Sequence, residues 1–147
     1  MTRLARSEAR KPIALAHARH AISLVDRRAP LDANALACCL YIRQWLRYTH
    51  EAPETIADLD CLTRYPAGDC DDMVVALAAL LLRLGYGYDG MAWCVGWRGA
   101  HPAHVWLAVD TPRWGVLQLD PSTWRFDPPT PPAPYGRFSS VTTHPLR

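Results

Sequence analysis

The sequence predicts an α+β domain in which helices come first and a small antiparallel sheet then packs on one central helix. Three observations carry that reading. Between Asp69 and Gly85 the apolar residues recur at helical spacing over so broad a face that the segment has to be buried. Directly after Gly85 the period drops from about 3.6 to 2 over three short runs, Met91–Trp97, His104–Asp110 and Gly115–Leu119. The connections between those runs hold Gly99, Pro102 and Pro112 and are too short for crossover helices, so the strands are antiparallel neighbours.

Residues 1–34 read as a helical arm. Pro12 sits in the first turn of a helix reaching about Asp26, and Arg27-Arg28-Ala29-Pro30-Leu31 breaks it. Asp32 is placed to cap a second helix running to about Tyr48, with Ala35, Cys38, Ile42 and Trp45 as its buried stripe. Pro53 opens a short helical turn through Leu62, and Tyr65-Pro66-Ala67-Gly68 reads as a loop. The central helix follows. Asp69 can cap it with Asp72 three residues on, Met73, Leu77, Leu80, Leu81 and Leu84 form its apolar face, and Gly85 suits the left-handed position beyond its end. After Asp120 the chain carries seven of its thirteen prolines, which precludes a helix or a central strand; residues 126–147 are expected to run extended over the surface, and removal of 128–147 to leave a folded core.

With 147 residues, such a domain can bury roughly 68–70% of its unfolded surface without a metal or disulfide staple. Half the residues are hydrophobic and 20% charged, which excludes intrinsic disorder. No apolar run approaches the ~18 residues of a membrane span, and the basic N-terminus is not followed by a secretory apolar stretch. Five cysteines at irregular spacings, Cys38, Cys39, Cys61, Cys70 and Cys94, fit a reduced, cytoplasmic protein. The net charge of +2 is unevenly spread: residues 1–28 hold seven bases against Glu8 and Asp26, whereas 51–72 hold seven acids against Arg64 alone. The basic stretch reads as a solvated helix face, so neither nucleic acid nor a membrane is the expected partner.

The chemistry concentrates where these elements meet. Cys70 is the first residue of the central helix, where unpaired N–H groups and the helix dipole favour a thiolate. His104 opens the second strand and Asp120 follows the third. If those strands pair in a meander, the two residues stand side by side above the helix start, as a Cys–His–Asp site requires. His101, three residues before His104, lies in a Pro-flanked turn and is the weaker base. Cys38, Cys39, Cys61 and Cys94 read as small buried hydrophobes.

The run Gly68-Asp69-Cys70-Asp71-Asp72, the helix Ala76 to Gly85, His104-Val105-Trp106, and Trp114 ahead of Leu119-Asp120-Pro121-Ser122 together resemble the transglutaminase-like superfamily. That superfamily is a branch of the papain-like cysteine enzymes, and the likeness spans about residues 35–125, including Ile42 to Tyr48 upstream. The Gly-Asp-Cys-Asp-Asp form in so short a chain is most similar to small bacterial and phage-associated members. The resemblance implies Cys70 as nucleophile, His104 as general base and then acid, and Asp120 as the group that orients the imidazole. It implies hydrolysis or transfer of an amide or peptide acyl group through a thioacyl-enzyme, with a peptide, amide or protein substrate and no cofactor. The animal cross-linking enzymes' extra domains are absent, and there is no Asp-x-Asp-x-Asp-Gly calcium loop, which argues against calcium-controlled cross-linking. Tyr48, Trp45 and Trp106 are candidates for the oxyanion donor or substrate wall.

Two other classes stay open. A metal hydrolase would draw on Cys70, His101, His104 and Asp120, but no Cys-x-x-Cys or His-Glu-x-x-His signature accompanies them, so no metal is expected. A catalytically inactive relative serving as a binding or assembly module is the runner-up.

Overall fold

The computed structural model describes residues 1–23, 31–50, 55–123 and 138–146. Their elements are α1 (Thr2–Arg10), α2 (Pro12–Ser23), α3 (Leu31–Trp45), β1 (Arg47–Tyr48), α4 (Leu59–Arg64), β2 (Ala67–Gly68), α5 (Cys70–Arg83), β3 (Met91–Arg98), β4 (His101–Thr111), β5 (Gly115–Leu119) and β6 (Ser140–Pro145), with a 3-10 turn at Tyr88–Gly90. The expected helix end at Asp26, the break at 27–30 and Pro53 lie outside the described residues.

Helix α5 is the axis of the fold, and every residue from Asp72 to Leu81 is buried. Gly85 follows it at φ +94°, a conformation that costs glycine nothing and other residues strain. The sheet runs β5-β4-β3-β6 and is antiparallel throughout. Met91, Trp93, Leu107, Val109, Leu117 and Leu119 bury one face in the core that α5 shares. On the other, Cys94, Trp106 and Ala108 form a smaller cluster against Phe138.

Three parts differ from the sequence expectation. Residues 2–10 form a helix of their own: Ala5 and Ala9, one turn apart, are buried in the α5 core, and Glu8, 2% exposed, accepts the Leu59 N–H at 2.9 Å and pairs with Lys11 at 2.9 Å. The basic segment is therefore docked. Helix α3 ends at Trp45 and not near Tyr48, because the Arg47 and Thr49 amides leave the helix to bond Pro66 O and Gly68 O at 3.0 and 2.9 Å, closing a two-residue parallel ribbon in the segment read as a loop. Asp32 lies inside the helix, and its carboxylate accepts the Arg113 amide at 3.1 Å, tying α3 to the β4–β5 turn.

The third difference is the end of the chain. The proline argument holds in that β6 is an edge strand, but it pairs with β3 from Trp97–Ser140 to Ala92–Pro145, and Leu146 beyond it is fully buried. Phe138 lies so close to Gly96 that a Cβ there would run into its ring. Deletion of residues 138–147 is accordingly expected to destabilise the domain by several kcal/mol, since a buried Leu alone contributes about 2 kcal/mol and the β3 edge loses its partner. Urea unfolding checks this. A truncated protein within about 1 kcal/mol of the full chain would show that the edge strand is dispensable.

Candidate active site

Local interactions set Cys70 at the start of α5. The Asp69 carboxylate accepts the Asp71 amide at 3.1 Å, while Asp72 reaches back to the Asp69 amide at 3.1 Å, a reciprocal capping box. Asp72 also accepts the Ala57 amide at 2.6 Å, anchoring the loop before α4. Gly68 is required beside it, because a Cβ would stand 2.6 Å from the Asp72 carboxylate. Cys70 emerges half-buried on a cleft of roughly 210 Å³ that it lines with Asp69, Asp71, Val95, Ala103 and His104.

His104 comes from β4, beside the irregularity between Gly96 and Trp97 of β3. Its Nε2 lies 2.6 Å from the Asp120 carboxylate, which is 1% exposed and also accepts the Ser122 amide at 2.9 Å and hydroxyl at 2.6 Å. Arg43 of α3 donates to the Thr123 carbonyl and places its charge near Asp120. Burial disfavours a charged His104, yet hydrogen bonds to Asp120 and to the Cys70 thiol, with their negative charges, outweigh it and raise the imidazole to about 9. The structure thus brings Cys70, His104 and Asp120 into one hydrogen-bonded chain. Such a chain can move a proton between sulfur and imidazole while the carboxylate holds the ring.

The other candidates part ways. Tyr48, on β1 opposite Gly68, is brought to the site: burial, then the negative charges of Cys70, Asp69 and Asp120, push its phenol up. Trp45 is not at the site; it stacks on His17 at 4.0 Å, away on the α2 side. Trp106 is 1% exposed, donates to Gln118 at 2.5 Å and stacks with His104 and Phe138, so it packs behind His104 in the smaller cluster and does not face the cleft. His101 lies not in the expected turn but at the start of β4, which begins three residues before His104 because His101 and Pro102 pair with Arg98 and Trp97. It is exposed, and among the described residues it joins no metal-ligating cluster with Cys70, His104 and Asp120. Cys38, Cys39 and Cys94 are buried as expected, but Cys61 is exposed on α4. Arg43, Ser122 and Phe138 are participants that the sequence reading did not assign; Ser122, two residues after Asp120, is the one with a local signal, the spacing of an Asx turn.

Asp69, Asp71 and Asp72 bring carboxylate oxygens within 4.8 Å of one another, a spacing that suits a cation, although two of the three already serve the helix cap. Burial, then the Asp69 side chain and the charges of Asp69 and Asp72, raise Asp71 to about 8.

No protein-family model and no curated protein sequence matches the chain. Solved structures do. Legionella pneumophila LapG superposes with a TM-score of 0.59 at 16% identity over 85% of this chain and 72% of LapG. LapG in its EGTA-treated form gives 0.56 at 17% identity over 86% and 72%. A candidate protease from Parabacteroides distasonis gives 0.58 at 12% identity over 79% of this chain. The likeness is one of fold. It shows an α+β core in which helices and a central helix pack on a small antiparallel sheet, as in these neighbours. This chain spans a quarter of the Parabacteroides protein's length.

Proposed function

We propose that the protein is a cysteine-dependent peptidase or amidase, with acyl transfer to an amine as the other fate of the same intermediate. The observation that carries this is the hydrogen-bonded sequence Cys70, His104, Asp120 opening on a cleft. A protease-like neighbour in fold supports the peptide as substrate. With Nε2 held by Asp120, Nδ1 serves the sulfur. Cys70 Sγ attacks the amide carbonyl, and the Cys70 backbone N–H, a first-turn donor without an intrahelical acceptor, binds the oxyanion with the Tyr48 hydroxyl. The C–N bond breaks as His104 protonates the leaving amine, and a thioester remains. Water or a second amine, deprotonated by His104, attacks the thioester and releases Cys70. Five unpaired cysteines support a reducing compartment, and no helix among the described residues is long and apolar enough to cross a membrane.

Competitive alkylation tests the nucleophile. At about pH 6 His104 is an imidazolium, which stabilises negative charge on the adjacent sulfur. Burial pushes the Cys38 thiol up to about 12 and raises Cys39 and Cys94 too, so these stay unlabelled, and exposed Cys61 is the internal reference. Limiting iodoacetamide is expected to modify Cys70 about tenfold ahead of Cys61, and His104→Ala to erase the difference. Peptide mapping that finds Cys61 modified first, or a Cys70 preference indifferent to His104, would sink the proposal.

A further inference from the structure

A second and larger cavity, of roughly 650 Å³, lies between the end of α3 with β1 and the end of α4 with β2. Arg47 and Arg64 line it with Trp45 and Tyr65, and Arg43, whose guanidinium donates to Thr123, borders it. Trp45 is a fixed wall: its ring stacks on His17 at 4.0 Å and on Tyr41, and the His17 ring is pinned by Tyr41 Oη at 2.5 Å and Thr63 Oγ1 at 3.2 Å. Arg64 is the one base in the acidic stretch 51–72, yet the described acids nearby are engaged elsewhere. Asp58 and Asp60 bind Lys11 at 3.2 and 2.6 Å, and Asp69 and Asp72 cap α5. Arg64 feels the field of Asp58, but among the described residues neither it nor Arg47 forms an ion pair.

The parallel ribbon that borders this cavity runs along the chain into the cleft at Cys70. Arg47 opposite Ala67 lines the arginine cavity, and the next pair, Tyr48 opposite Gly68, leads through Asp69 to Cys70. Three peptide links separate Ala67 from Cys70, with Gly68 and Asp69 between them, so the chain holds the two at most about 11 Å apart. A separation of that order is what about three residues of an extended peptide cover.

We propose that this cavity is an exosite for acidic residues of a peptide or protein substrate, held by the Arg47 and Arg64 guanidiniums against the Trp45 wall about three residues from the amide offered to Cys70. The proposal rests on Cys70 as the nucleophile. Guanidinium forks match carboxylates two bonds at a time, and a ready aromatic wall lowers the ordering cost. Arginines beside aromatics also suit nucleic acid, but continuity with an amide-processing cleft favours the acidic peptide.

Two measurements test it. Fluorescence anisotropy with fluorescein-labelled Ala-Ala-Glu-Glu and Ala-Ala-Gln-Gln reads the cavity without involving Cys70. The same tetrapeptides carrying an iodoacetyl group at either end read its connection to Cys70, as sulfur displaces iodide. The Glu forms are expected to bind, and to alkylate Cys70, about tenfold better than the Gln forms at low salt. In Arg47→Gln/Arg64→Gln, whose replaced side chains are exposed, both ratios should fall toward one. Equal binding of Glu and Gln peptides, ratios that persist in the double variant, or stronger competition by an octathymidylate than by an octaglutamate would overturn the exosite. If free iodoacetamide spares Cys70 while the anisotropy ratio behaves as expected, the nucleophile reading has failed and the acidic-peptide cavity stands.

Discussion

Replacement of Cys70 by Ala is expected to lower amide turnover by at least about four orders of magnitude while leaving stability within about 1 kcal/mol. The two halves of this expectation have separate causes. Without the sulfur no thioester forms, and the remaining oxyanion donors and His104 act only on bound water. The fold has no such dependence. Cys70 is half-buried at the first position of α5, Ala is the best helix former, and the box made by Asp69 and Asp72 does not use the thiol. Thermal unfolding and turnover of a panel of peptide and glutamine amides, measured on one preparation, check both. A melting temperature that collapses would make Cys70 a structural residue, and turnover that survives would place the nucleophile elsewhere.

How far the site could be seen in the sequence depends on the range of the interactions that build it. Helix α5 is set by neighbours: a cap and its partner three residues apart, an unbroken apolar run, and a glycine at the only kind of position where φ +94° is free of strain. Two of the residues joined there, His104 and Asp120, follow from strand alternation and hairpin order alone, because β4 and β5 pair as neighbours. What was hidden depends on distant partners. Helix α1 has a basic exterior and two small alanines, and its place is set by α5 and by Leu59, about fifty residues away. The strand in the proline-rich tail is set by the edge of β3 that it completes.

The end of α3 shows how one misplaced boundary moves a candidate site residue. Were the helix to run through Tyr48, Trp45 and Tyr48 would stand three residues apart on one face, and both would look like site residues. In the structure the chain leaves the helix after Trp45 to pair with Ala67 and Gly68, so Tyr48 stands opposite Gly68, within the field of Cys70, while Trp45 stays with His17. Nothing between residues 42 and 48 announces that exchange. The acceptors that draw the backbone away, Pro66 O and Gly68 O, lie some twenty residues downstream.

The second large effect is expected at Asp120. Asp120→Asn keeps a side chain of the same shape and an oxygen for Ser122, but the amide cannot counter an imidazolium, and an amide N–H facing Nε2 favours the wrong tautomer. Turnover should fall by roughly four orders of magnitude. The pH dependence of stability should change with it. His104 is raised from 6.5 to about 9 against the cost of burial, with Asp120 and then Cys70 as the groups that raise it. At 1.36 kcal/mol per pH unit, that difference is worth on the order of 3 kcal/mol. Because the folded state holds the proton more tightly, this contribution is complete below about pH 6.5 and is lost as the pH climbs through about 9. Urea unfolding between pH 6 and 10 should therefore show the wild-type protein losing stability across that interval. Asp120→Asn should start lower and lose much less. Parallel pH profiles for the two proteins would mean that His104 does not carry the proton, and that the arrangement around Asp120 is a structural tie and not a catalytic one.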